Sequence, residues 1–99
     1  MAVVISPNMI AKLTGKHGVK PEEVEQCFAN RNGKYLEDLR PQHKTESGAP
    51  TYWFIGETHM GRRLKVTFCQ EHGNLYLRSA YDANEATIKF YLSNGGGVI

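Results

Sequence analysis

Cysteine is scarce in this chain: Cys27 and Cys69 are the only two, and they form no Cys-x-x-Cys pair. That argues against a disulfide-stapled scaffold or a cysteine zinc site. Two reduced thiols in a cytoplasmic protein are expected, with a single disulfide as the alternative. The four histidines, His17, His43, His59 and His72, fall in separate segments without a second ligand at metal spacing, so no metal site is expected. Long hydrophobic runs are lacking as well. None approaches the length that spans a bilayer, and Ala2-Val3-Val4-Ile5 is too short and lacks the basic lead of a signal sequence. Charge of one sign is equally weak. A formal net charge of +2 does not by itself point to a polyanion. With 99 residues there is room for one core, so a single domain over residues 1–99 is expected.

Several chemistries lack their residues. Ser79 has no nucleophile-elbow pattern around it, and Gly95-Gly96-Gly97 precedes no helix that would turn it into a phosphate-binding loop. Glu37 and Asp38 are adjacent, so on a strand they point to opposite faces and do not form a carboxylate pair. No cofactor is expected.

What is present is alternation. From Tyr52 to Ala80 the chain reads as a three-stranded antiparallel meander. Tyr52-Trp53-Phe54-Ile55 is aromatic and β-branched, His59-Met60-Gly61 turns the chain, and Leu64, Val66 and Phe68 alternate with Arg63, Lys65 and Thr67. A second turn at Glu71-His72-Gly73-Asn74 leads to Leu75 and Leu77 alternating with Tyr76 and Arg78. Tyr35 to Arg40 reads as a strand leading into the meander, and the polar stretch from Pro41 to Pro50 as a mobile loop.

Helices flank this sheet. Ser6-Pro7 is a cap followed by proline at the first helical position, with Met9, Ile10 and Leu13 as the apolar side and Gly15 and Gly18 at the end. Pro21-Glu22-Glu23 opens a second helix whose stripe is Val24, Cys27 and Phe28, stopped by Asn30-Arg31-Asn32-Gly33, of which Asn32 or Gly33 suits a left-handed conformation. Asp82-Ala83-Asn84-Glu85 has the form of a capping box with Asp82 as cap, ahead of Ile88, Tyr91 and Leu92. Residues 93–99 read as a flexible tail. The expected fold is α+β: two N-terminal helices, a four-stranded antiparallel sheet and a C-terminal helix, with Val3-Val4-Ile5 a short strand or an extended lead.

One sheet face then carries Arg63, Lys65, Tyr76 and Arg78. Such a face suits metal-free RNA cleavage, in which the RNA's own 2′-hydroxyl attacks and the protein supplies position, cations and proton transfer. Arg63, Lys65 and Arg78 are candidates for charge stabilisation. Tyr52, Tyr76 and Tyr81 are candidates to stack a base or move a proton, and His59 joins Tyr52 and Tyr76 as a candidate RNA contact. A solvated strand face protected by lysine and arginine fits the same pattern.

Ordered segments add a resemblance. Lys16-His17-Gly18-Val19 with Pro21-Glu22-Glu23-Val24, Phe54-Ile55-Gly56-Glu57-Thr58 with Gly61-Arg62-Arg63-Leu64-Lys65-Val66, and Gly73-Asn74-Leu75-Tyr76-Leu77 with Ser79-Ala80 together resemble the BrnT toxin family over residues 7 to 91. The resemblance implies a bacterial ribonuclease toxin of the RelE/ParE-like superfold, neutralised by a small DNA-binding antitoxin protein. It singles out Arg62 as a catalytic candidate beside Arg63, Lys65, Arg78 and Tyr81. The chain departs from the pattern at Tyr81, where the family has arginine, and in a last helix poor in arginine. A non-catalytic RNA- or protein-binding module on the same fold is the alternative.

Overall fold

The computed structural model of the chain describes residues 3–38 and 50–96. In order these form β1 (Val3–Val4), α1 (Pro7–Lys12), a wide π-helical turn (Leu13–His17), α2 (Pro21–Ala29), β2 (Leu36–Asp38), β3 (Thr51–Glu57), β4 (Arg63–Glu71), β5 (Asn74–Asp82) and α3 (Glu85–Tyr91). A second wide turn continues α3 over Leu92–Gly96, so the first part of the expected tail is helical. Residues 41–49 of the expected loop, with His43, lie outside the described residues, as do Leu39, Arg40 and residues 97–99.

The α+β class holds, but the sheet is mixed and has five strands, ordered β1-β5-β4-β3-β2. The expected four-stranded antiparallel sheet is corrected by β1, which pairs in parallel with Leu75 and Tyr76 of β5. Two residues are too few to carry a readable alternation. The meander itself forms as expected. His72 and Gly73 both take positive φ, 51° and 78°, giving the primed two-residue turn that matches strand twist.

Local signals explain most helix ends. The Met9 N–H donates to the Ser6 hydroxyl at 3.2 Å, and the Lys20 N–H donates to the Glu23 carboxylate at 3.0 Å. Gly18, at φ 61°, takes the left-handed step that ends the first wide turn. Two details are corrected. α2 stops at Asn30, the start of the expected stop, but neither Asn32 nor Gly33 is left-handed; Asn30 takes φ −90° and ψ 1°, and its side chain donates to the Glu57 carbonyl at 2.9 Å. α3 is capped by Asn84, whose side chain accepts the Thr87 N–H at 2.8 Å, while Asp82 stays in β5.

Helices cover both sheet faces. Phe54, Leu64, Val66 and Phe68 are buried with Leu13, Val19, Val24 and Cys27 from the α1–α2 side, and the rings of Phe28, Tyr35, Phe54 and Phe68 meet edge to face. Trp53 and Ile55 are buried on the other face, where α3 seats Tyr91, 0 % exposed, with its ring 5.5 Å from Trp53. The Tyr91 hydroxyl donates to the Lys34 carbonyl at 2.7 Å, satisfying backbone just ahead of β2. Leu92 and Ile10, expected in apolar stripes, are 45 % and 38 % exposed.

Gly56 sets the separation between α2 and β3. A Cβ there would lie 2.8 Å from the Cys27 Cβ and 2.9 Å from the Cys27 carbonyl oxygen. The second neighbour is backbone and does not move aside cheaply. Gly56→Ala is therefore expected to lower unfolding free energy by about 1–3 kcal/mol, the range for overpacking a dense core. A denaturant midpoint equal to that of the wild type would contradict this packing.

Candidate functional site

Directly opposed residues of an antiparallel ladder share a face. The register therefore puts Ile55, Lys65 and Tyr81 in one row, flanked by a Glu57–Arg63 row and by a row of Trp53, Thr67 and Ser79. Cys69 and Tyr76 form the next row. Thr67 pairs with Ser79 while Phe68 pairs with Leu77, so Arg78 is the extra residue of a β-bulge. Its charge acts on Cys69: burial pushes that thiol's pKa up and Arg78 pulls against it. Arg63, Lys65, Tyr76 and Arg78 thus share the side opposite the α1–α2 layer.

Lys65 is the centre of this face. Its ammonium lies 4.8 Å from the Trp53 ring centroid and 6.0 Å from that of Tyr81, and the stem is half-buried. Aromatic faces attract a cation and hold it in place. Arg63 lies 3.8 Å from the Glu57 carboxylate, too far for a hydrogen bond, and is half exposed. Beside Lys65 is an open cleft of about 490 Å³ lined by Glu37, Asp38, Trp53, Thr87 and Phe90, with Phe90 56 % exposed.

Tyr81 has a second neighbour. The His17 ring lies 5.5 Å from the Tyr81 ring, centroid to centroid. β1 leaves the outer edge of β5 beyond Tyr76 open, and the turn ending in His17 packs there. What fixes His17 is Arg62. Its Nη2 donates to the His17 carbonyl at 3.2 Å and its Nη1 to the Gly18 carbonyl at 3.0 Å. Nε and Nη2 grip Asp82 at 2.6 and 2.9 Å, and Nη1 donates to Glu23 at 3.3 Å. All five guanidinium protons have acceptors. Those bonds raise the Arg62 pKa further, and they hold the Asp82 carboxyl below the usual range.

The remaining candidates separate. Tyr52 pairs with Phe68 and therefore faces the α1–α2 layer, on the opposite side of the sheet from Lys65. Strand alternation requires this once Trp53 faces Lys65. His59 lies in the β3–β4 turn, its Nδ1 3.1 Å from the Asn30 amide and its N–H donating to Gln26 at 3.1 Å. It flanks a second cleft at the end of α2. Three residues of the Lys65 neighbourhood carried no functional signal in the sequence: Trp53, Phe90 and His17. The unbroken run Tyr52-Trp53-Phe54-Ile55 held a hint, since a strand apolar on both sides is buried on both sides.

No protein-family model matches the chain, and no curated protein matches it significantly. No described helix is long and apolar enough to cross a membrane.

The arrangement offers a cation held between two rings, a histidine against a tyrosine, and an exposed ring beside a cleft. Arg62 serves as frame: its donors are spent inside the protein. Arg62→Ala is expected to cost roughly 1.5–3 kcal/mol of stability, the range for hydrogen bonds to charged groups. Most of this belongs to the half-buried Glu23 and the two carbonyls, because solvent screens exposed Asp82. A folded pKa depressed below the unfolded value, about 4, gives stability that is present above pH 4 and lost as pH falls through the folded value. Asp82→Asn should therefore flatten the acid limb of a stability–pH curve. Parallel acid limbs for variant and wild type would show that the clamp carries no linkage.

Proposed function

We propose that this chain is an RNA-directed, toxin-like domain of the BrnT type, working from the Lys65 face without a metal. The observation that carries the reading is the grouping of Lys65, Tyr81 and His17 around one accessible point. In the cleavage step the RNA's 2′-oxygen attacks the adjacent phosphorus, the 2′-O–P bond forms, and the P–O5′ bond breaks to leave a cyclic phosphate. One proton leaves the 2′-hydroxyl and one reaches the departing 5′-oxygen. His17 and Tyr81 are the groups positioned for these transfers, and Lys65 and Arg78 for the charge on the phosphorane. An unpaired base stacks on Phe90 at the cleft.

A non-catalytic binding module is favoured by one observation. Arg62, the arginine singled out by the resemblance, has no proton left for a phosphate. In either reading the natural inhibitor is a partner with an acidic segment laid over Arg63, Lys65 and Arg78, since opposite potentials steer association. A bacterial antitoxin with a DNA-binding half and a cytoplasmic setting fit that role.

Lys65→Ala and Arg78→Ala should each weaken binding to single-stranded RNA and lower the slope of log affinity against log salt by roughly 0.7, the single-strand contribution of one phosphate contact. Wild-type binding that ignores salt would overturn the reading. Product formation by the wild type, lost in a folded His17→Ala or Tyr81→Phe variant, selects cleavage. Salt-dependent binding without product selects the module.

A further inference from the structure

We propose that the outward face of α3 is a self-complementary surface through which two copies of this chain pair, and that the pair covers the cleft beside Lys65. In α3, Ile88 packs against the core and Tyr91 is fully buried in it. The opposite side is exposed and holds Glu85, Ala86, Lys89 and Phe90, with Phe90 56 % exposed. At about 3.6 residues per turn these four form two neighbouring stripes, Glu85 with Lys89 and Ala86 with Phe90. Phe90 stacks on Trp53, ring centroids 6.1 Å apart, and lines the mouth of the cleft with Ala86.

A second copy fits this face because of the way a two-fold axis acts on it. When two helices meet antiparallel about such an axis, each stripe lies against itself in reverse order. Glu85 then faces the partner's Lys89, and Lys89 faces the partner's Glu85. In the neighbouring stripe Phe90 faces the partner's Ala86, a large side chain against a small one, and the reverse contact repeats it. Ala86 leaves room for the incoming ring to enter the cleft, whose apolar lining is Trp53, Ala86 and Phe90. Two rings thus fill two clefts. Neither Glu85 nor Lys89 has an ion pair among the described residues, so both charges are available. A partner of one sign would satisfy half of that stripe and repel the other half, whereas a second copy satisfies all of it.

The face is short. One turn of helix and one ring bury less than the roughly 1,200 Å² at which stable complexes begin, so the pair is transient. Its effect is local: the ring of each copy occupies the cleft that adjoins the other copy's Lys65 and displaces the stacked base. That effect rests on the RNA reading of the Lys65 face, and the pairing does not.

Sedimentation velocity of the full chain from about 10 µM to 1 mM, the range of weak complexes, should show a monomer–dimer equilibrium. Glu85→Lys places like charges in both contacts, and so does Lys89→Glu. Each should weaken self-association about tenfold, because the two-fold axis counts every exposed pair twice. Combining both substitutions in one chain, or mixing the two single variants one to one, restores opposite charges and should return the dimer. Thermal melts check that each variant is folded. Single reversals that leave the equilibrium unchanged, or a mixture that stays monomeric, would overturn the pairing. On dilution of the wild type, the Phe90 ring and Trp53 indole signals should move while the His59 and Met60 amides stay in place; the opposite pattern would overturn this face as the contact. A wild type that is monomeric throughout, with Phe90 signals moved only by single-stranded RNA, would overturn the dimer and leave the RNA reading standing. A dimer with no affinity for RNA would overturn the RNA reading and leave the pairing standing. A dimer that binds RNA without dissociating would overturn the covering of the cleft.

Discussion

The guanidinium of Arg62 ties the end of β5, the turn after α1 and the start of α2 to the head of β4. A planar fork with five donors is suited to this, because it meets a carboxylate with two parallel bonds and still has protons for other acceptors. The consequence for function is indirect. By holding the carbonyls of His17 and Gly18, the clamp places the imidazole of His17 against Tyr81 and thereby next to the Lys65 row. An arginine that resembles a catalytic residue in sequence spends its donors on other parts of this fold. Its charge is neutralised inside the protein, and the exposed face draws its potential from Arg63, Lys65 and Arg78.

The local part of the fold was legible in the residues. Period-two alternation in 63–68 and 74–78 gave β4 and β5, and the positive-φ turn at His72-Gly73 gave their hairpin. Ser6-Pro7 and Pro21-Glu22-Glu23 marked two helix starts. What escaped depended on partners distant in sequence. Asp82 has the form of a cap, yet a bidentate arginine twenty residues earlier outcompetes the local backbone for it, and Asn84 takes the cap. The stop of α2 at Asn30 was legible, but not that its side chain would be held by a carbonyl of β3 in place of a left-handed turn. Val3-Val4 was open as a short strand or an extended lead, and only its parallel pairing with the edge of β5 decides it.

The candidate site was legible as a charge pattern and hidden as a shape. Alternation located Arg63, Lys65, Tyr76 and Arg78, and the bulge shifts the phase of β5 so that Ser79 and Tyr81 join their side of the sheet. The apolar run at 52–55 concealed the geometry, since its residues go to two different layers: Trp53 to Lys65 and α3, Tyr52 and Phe54 to the α1–α2 core. His17 lies 64 residues from Tyr81 in sequence (81 less 17), and no spacing rule connects them. Ring contact between them arises from tertiary closure, through the Arg62 clamp.

The proposed division between a framing Arg62 and an RNA-facing Lys65 row is open to one direct observation. Single-stranded RNA titrated into isotope-labelled protein at low salt should shift the backbone amides of Lys65, Arg78 and Tyr81 and the His17 ring signals. The Arg62 Nε–H resonance, locked on Asp82, should stay in place. Strong perturbation of the Arg62 Nε–H, with Lys65 and Tyr81 silent, would contradict that division and put the RNA on the clamp itself.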